Sequence, residues 1–172
     1  MTKSLNFFNT LSKKKEKFFP INNNKIGMYV CGPTVYDFPH IGNARPLVVF
    51  DVLFRLLQSL YGKNKVTYVR NITDVDDKII ESSKKNKKSI KELTETITKS
   101  FHEDCRYLNC LKPTFEPKAT ENIKEMINMV SNLLKNNHAY ENEKHVYFQF
   151  LPLKNMENYQ IKTLNNLLLG QE

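Results

Sequence analysis

The stretch from residue 26 to residue 70 narrows the possible folds more than any other part of the chain. Ile26-Gly-Met-Tyr-Val-Cys31 is a short apolar run that stops at Gly32-Pro33, the pattern of a buried strand ending in a sharp turn. Leu47, Val49, Leu53, Leu56, Leu57 and Leu60 then recur at helical spacing, and Gly62 follows as a C-cap. The periodicity predicts a helix beginning near Ala44. Pro46 falls in its first turn, where a missing N–H costs nothing because the first donors have no intrahelical partner. Val66-Thr-Tyr-Val-Arg70 is β-branched and aromatic and reads as a second strand. Strand, loop, helix and strand make a βαβ unit, so the two strands should pair in parallel with the helix packed on their sheet. The fold class is therefore α/β.

The flanking segments read less sharply. Leu5 to Leu11, a basic stretch, and Phe18-Phe19 before Pro20 suggest a hairpin with a basic turn. Ser89 and Glu92 have capping-box spacing, and Ile90, Leu93, Ile97, Phe101, Cys105 and Leu108 line one face of the helix that follows, which makes Cys105 a core residue. Lys112-Pro-Thr-Phe-Glu-Pro117 separates that helix from a second one, with Ile123, Met126, Ile127, Val130, Leu133 and Leu134 expected inward. His145 to Phe150 reads as a strand, and 164–169 as a short apolar patch.

Lys and Arg total 26 against 18 Asp and Glu, a formal net charge of +8 that favours polyanionic partners, nucleic acid first among them. Lysine-rich surface is also commonly just a solvated face. The three cysteines, Cys31, Cys105 and Cys110, form neither an even disulfide framework nor a Cys-x-x-Cys pair, which points to a reducing compartment. Residues 1–19 show no sustained apolar run, so no secretory signal or membrane span is expected, and the cytoplasm follows as the default location.

In an open parallel sheet the ligand crevice lies beyond the carboxyl ends of the strands. The loops that reach it here are 31–43 and 71–77. Gly42-Asn43 precedes the predicted helix start, where unpaired N–H groups and the positive dipole end would stabilise phosphate. His40 can donate to phosphate oxygens as negative charge develops. Standing alone, His40-x-Gly42 reads first as a capped turn, Cys31 as a core residue ending a strand, and Asp74, Asp76 and Asp77 as caps for the next helix.

Met28-Tyr-Val-Cys-Gly-Pro-Thr-Val-Tyr-Asp37, His40-Ile-Gly-Asn-Ala-Arg45 and Tyr68-Val-Arg-Asn-Ile-Thr-Asp-Val-Asp-Asp-Lys78 together resemble the cysteinyl-tRNA synthetases. Weaker similarity extends through Phe8-Asn-Thr-Leu11, Phe115-Glu-Pro117 and His138-Ala-Tyr140. The resemblance implies a class I synthetase, with the first half of its Rossmann-like nucleotide-binding fold. ATP, with Mg as its counter-ion, and L-cysteine would form cysteinyl-adenylate, and tRNA(Cys) would accept the cysteinyl group. His40 to Asn43 takes the place of the His-Ile-Gly-His signature of that class. Asn43 departs from its second histidine, keeping a donor but losing a titratable group. By the same resemblance His40 and Asn43 are the catalytic residues, and Pro33, Thr34, His40, Ile41, Gly42 and Asn43 hold ATP. Gly32 and Thr73 line the cysteine pocket. Cys31 matches a zinc ligand. Zinc accepting a substrate thiolate would tell cysteine from serine, because sulfur is the softer ligand.

Residues 1–117 correspond on this reading to the first half of the catalytic domain, and residues 118–172 to the start of its connective insertion. The other zinc ligands, the second half of the fold and a Lys-Met-Ser-Lys-Ser-type loop have no match in the chain. Catalysis is thus expected to need a C-terminal remainder, supplied as a second chain. Two other readings compete: a related cysteine-activating ligase with an amino-sugar acceptor, and a truncated relative that binds nucleotide or RNA without catalysis.

Overall fold

A computed structural model describes residues 5–149. Pro20–Ile123 forms one compact unit, and the described residues to either side of it, 5–19 and 124–149, cluster in another.

The larger unit is built on the predicted βαβ element. β3 (Ile26–Val30) and β4 (Val66–Arg70) pair in parallel, with Ile26 opposite Val66 and Val30 opposite Arg70. Ile26, Met28 and Val30 face the same layer as Val66, Tyr68 and Arg70, and all six are buried. α1 (Ile41–Tyr61) covers that face with Phe54 and Leu57, and the Phe54 and Tyr68 rings lie 5.1 Å apart. Gly62, at φ +99°, ends α1 as expected. Gly27 and Tyr29, on the other face, are exposed.

The start of α1 corrects the sequence reading. The helix begins at Ile41, three residues before Ala44, so Pro46 lies in the second turn rather than the first. The cap explains the shift, because His40 and Asn43 satisfy donors upstream of where apolar periodicity begins. Pro46 then cannot supply the N–H that the Gly42 carbonyl would otherwise accept. Residue phase differs too: Val49 and Leu56 are exposed, while Asp51 and Phe54 point inward.

α2 (Asp77–Asn86) and α3 (Ile90–Tyr107) follow β4. Ser89 caps α3 by accepting from the Glu92 N–H at 3.1 Å. Leu93, Ile97, Phe101 and Cys105 pack with Val35, Ile72 and Ile79 into one buried cluster, as the stripe predicts, although Ile90 at its end is exposed. The proline-punctuated stretch after α3 runs beside β4. Arg70 N–H donates to the Phe115 carbonyl and Ile72 N–H to the Pro117 carbonyl, so residues 114–119 form an irregular third strand parallel to β4.

The smaller unit contains the predicted first hairpin, β1 (Asn6–Asn9) paired antiparallel with β2 (Lys14–Lys17), with Phe7 edge-on to Phe18. Its helix α4 (Ile123–Lys135) has no fully buried residue: of the positions expected inward, Ile123, Met126, Ile127 and Val130 are exposed, and Leu133 and Leu134 are half-buried. An apolar stripe needs a covering partner, and the described residues provide none that buries it. β6 (His145–Phe148) pairs with β5 (Ala139–Asn142), a strand that the sequence reading did not separate from its surroundings. Glu143 and Lys144, both at positive φ, make the tight turn between them. Phe150, and the apolar patch at 164–169, lie outside the described residues.

Candidate functional site

The site is organised by one extra residue. Val30 pairs with Arg70, but the next bridge joins Thr34 to Thr73, so four steps on the β3 side match three on the β4 side. Cys31, Gly32 and Pro33 therefore arch out of the ladder, as in a β-bulge. Asn71 holds the arch: its Oδ1 accepts from the Gly32 N–H at 2.9 Å, and its Nδ2 donates to Thr73 Oγ1 at 3.1 Å. A Cβ on Gly32 would overlap the Asn71 carbonyl, so only glycine fits there. Cys31 is consequently exposed, not a core residue ending the strand.

Beyond the arch the chain rejoins β4 through Val35 N–H to the Thr73 carbonyl, 3.1 Å, and Thr73 N–H to the Pro33 carbonyl, 3.0 Å. It then turns back to enter α1. Ser82 Oγ donates to the Tyr36 carbonyl at 2.8 Å and the Lys78 ammonium sits over the Tyr36 ring, so α2 steadies this return.

His40 is the N-cap of α1. Its Nδ1 accepts from the Gly42 N–H at 3.1 Å, and its own N–H donates to Asn43 Oδ1 at 2.9 Å, a reciprocal capping box. With Nδ1 occupied as an acceptor, the neutral imidazole carries its proton on Nε2. The amide of Asn43, with Oδ1 engaged, is left with Nδ2 as donor. Gly42 lies under the imidazole, where a Cβ would come within 2.8 Å of Cε1. The cap also alters the expected anion site. Gly42 N–H serves His40 Nδ1 and Asn43 N–H the His40 carbonyl, so the donors left facing outward are side-chain N–H groups rather than those two backbone ones.

Gly32, Pro33, Thr34, His40 and Asn43 line one cavity of about 340 Å³, with Ile97 and Phe101 at its base. Cys31, Gly32, Pro33 and Asn43 also line a smaller one of about 100 Å³ with Arg70. Ile41 is 87% exposed and borders a separate cleft with His40 and Tyr107. Thr73 lines neither of the first two cavities, and its hydroxyl accepts from Asn71 Nδ2. Among the described residues no group of three or more His, Cys, Asp and Glu side chains is placed to hold a metal ion. Cys31 thus offers a single thiolate, and the described residues do not complete a zinc site around it.

The acidic cluster divides by task. Asp76 caps α2 through Lys78 N–H at 2.9 Å, and buried Asp74 accepts from the N–H and hydroxyl of Thr120, at 2.9 and 2.6 Å. Several supporting residues escaped the sequence reading. Besides Asn71, Arg70 at the end of β4 is buried, paired with Glu116 at 2.7 Å and stacked on Phe101 at 4.8 Å. Glu116 also meets His102 Nε2 at 2.6 Å. Asp51 ties α1 to the segment after α3 by accepting from Leu111 N–H at 2.7 Å. A charged residue ending a buried strand, like Arg70, was the one available signal.

Residues 17–172 match the family described as tRNA synthetases class I (C) catalytic domain. The chain is 53% identical, over 99% of its length, to the cysteine--tRNA ligase of Pelagibacter ubique, covering 38% of that protein. It is 60% identical over 82% of its length to that of Wolbachia pipientis subsp. Culex pipiens, and 51% identical over 97% to that of Orientia tsutsugamushi, covering 30% and 35% of them. It thus spans about a third of the length of these relatives. None of the helices among the described residues is long and apolar enough to cross a membrane.

Proposed function

Because this chain belongs to the family of class I (C) tRNA synthetase catalytic domains, we propose that it is the N-terminal part of a cysteine--tRNA ligase, and that its loops at 31–43 and 71–73 are the ATP- and cysteine-facing part of the active site. The reaction is activation of L-cysteine by ATP with Mg to cysteinyl-adenylate, followed by transfer to tRNA(Cys). A C-terminal remainder is needed to complete it. Residues 1–117 then supply the first half of the nucleotide-binding domain and 118–172 the beginning of the connective insertion.

The observation that carries the proposal is the His40 cap. Its Nδ1 is committed to Gly42 N–H, which orients the ring and leaves Nε2–H as a donor beside the cavity that Pro33, Thr34 and Asn43 share. Fixed donors aimed at growing charge need no reorganisation during the reaction. His40 Nε2 and Asn43 Nδ2 would stabilise the phosphate oxygens as adenylate forms, while Ile41 and Gly42 bring the backbone of the first turn close to ATP. Gly32, held by Asn71 and without a Cβ, lets the amino acid approach the arch, with Thr73 steadying its far side. Cys31 would give one thiolate to a zinc ion whose other ligands come from the remainder. Zinc, when bound, would supply thiolate selectivity.

The test is cysteine-dependent exchange of pyrophosphate into ATP by the chain alone and mixed with a separately made C-terminal remainder of a related enzyme. Exchange in the mixture alone is expected, and exchange by the chain alone would show that the remainder is dispensable. In the mixture, His40→Ala should lower adenylate formation far more than ATP affinity. His40→Asn retains a side-chain acceptor for the cap but lacks Nε2–H, so it should be as slow as His40→Ala. Recovery of rate by His40→Asn would assign His40 to helix capping only. Replacement of Cys31 by serine should deplete bound zinc and relax discrimination against serine, read by elemental analysis and by exchange with each amino acid.

A further inference from the structure

α3 ends in a helix stop whose geometry brings two thiols together. Asn109 adopts φ +57°, its N–H donates to the Arg106 carbonyl at 2.9 Å, and the Cys110 N–H donates to the Cys105 carbonyl at 2.9 Å. These two bonds define a Schellman motif, in which the side chains of the third-last helical residue and the second residue past the cap normally meet in an apolar contact. Here those two residues are both cysteines. Cys105 belongs to the buried cluster, and Cys110 packs against it.

The hydrogen bond also limits their separation. With a 2.9 Å N···O distance and standard peptide dimensions, the two Cα atoms lie no more than about 7 Å apart, within reach of a disulfide. α1 holds the loop in this arrangement from the outside. Arg55 donates to the Asn109 carbonyl at 2.7 Å, and Asp51 accepts from Leu111 N–H at 2.7 Å, so both neighbours of Cys110 are anchored. Cys105, Cys110, Arg70, His102 and Glu116 border a cavity of about 200 Å³, large enough to admit a small oxidant. The Arg70 guanidinium lies 3.8 Å from the Cys105 sulfur, where it offsets part of the burial that disfavours a thiolate.

We propose that Cys105 and Cys110 form a reversible redox site, closing to an intramolecular disulfide when a hydroperoxide such as hydrogen peroxide enters the cavity that both border. Cys110, the more exposed of the two, attacks the peroxide first. Its sulfur gains an S–O bond as the O–O bond breaks, and the thiol proton leaves with the departing oxygen as water. The Cys105 sulfur then attacks the resulting sulfenic acid. An S–S bond replaces the S–O bond, and the second oxygen leaves as water with the Cys105 proton. Two thiols are oxidised and one peroxide is reduced to two waters. Burial pushes both thiols above their ordinary range, which lowers the thiolate fraction and slows their reaction with oxidant at neutral pH. The site does not depend on the synthetase reading.

The test uses the full 172-residue chain. It is treated with hydrogen peroxide, blocked with iodoacetamide and cut with trypsin, which cleaves after Arg106 and separates the two cysteines. A linked pair of peptides, two hydrogen masses lighter than their sum and separated by dithiothreitol, is the expected product, with exposed Cys31 outside it. Three results would overturn the proposal: recovery of Cys105 and Cys110 as alkylated thiols under conditions that oxidise Cys31, their advance to sulfinic or sulfonic acids without a link, or linkage to Cys31 or between chains. Cys110→Ser should abolish the link while circular dichroism shows a folded chain. Should that variant not fold, the peptide map of the unsubstituted chain decides the matter on its own.

Discussion

α3 and α4 look alike as sequences and differ as structures. Both carry an apolar stripe at helical spacing. The stripe of α3 is sealed against Val35, Ile72 and Ile79, whereas α4 exposes Met126 at 45% and Ile127 at 59% of its own. Periodicity shows that a face requires cover, and says nothing of whether the nearby chain supplies it. α1 joins the two cases in one helix: Phe54 and Leu57 face the sheet, while Val49 and Val52 are more than half exposed. Relatives nearly three times as long offer ample chain for such faces.

The contrast is sharpest in truncations. Phe101→Ala should lower stability by about 3–5 kcal/mol, read from urea denaturation, because it empties the contact between α3 and Arg70. Ile127→Ala in α4 should change it by less than about 0.5 kcal/mol. Equal losses would mean that the α4 stripe is covered in solution. Arg70→Met should cost about 3 kcal/mol by taking the buried guanidinium away from Glu116, which keeps only its contact with His102, an effect absent from the exposed Lys91–Glu95 pair. Gly32→Ala should cost roughly 2–3 kcal/mol, since the obstacle is backbone and cannot swing away; a neutral result would show the arch to be pliable.

The βαβ core, the α3 stripe and Cys105 could be read from the sequence because period and β-branching report directly on burial within one element. What escaped were relations between elements. The start of α1 depends on a histidine and an asparagine capping each other, and histidine does not advertise a cap as serine does. Asn71 matters only because it lies opposite Gly32, 39 residues away in sequence. Arg70 and Glu116 are likewise partners across a loop that reads as a spacer.

The last prediction is the most gradual. Burial holds the Cys105 and Cys110 thiols above their ordinary value of 9.0, and the Tyr68 phenol above 10.0. The unfolded chain therefore loses these protons first as pH rises, and the folded chain retains more of them. Stability should accordingly fall from about pH 9 upward. Urea midpoints at pH 8 and pH 10 measure it, and a flat profile would mean that the end of α3 opens to water.

The extra residue in the 31–33 arch has one more consequence. Buried positions follow even numbers along β4, from Val66 to Asp74, but switch from even to odd along β3, where Val30 is followed by Val35. The segment is therefore a parity change, and its length is more constrained than its composition. Substitution at Cys31 or Pro33 alters local contacts, while a single deletion would turn every later residue to the opposite face until the chain could compensate. Gly32 is thus fixed by the Asn71 backbone and the whole segment by its length.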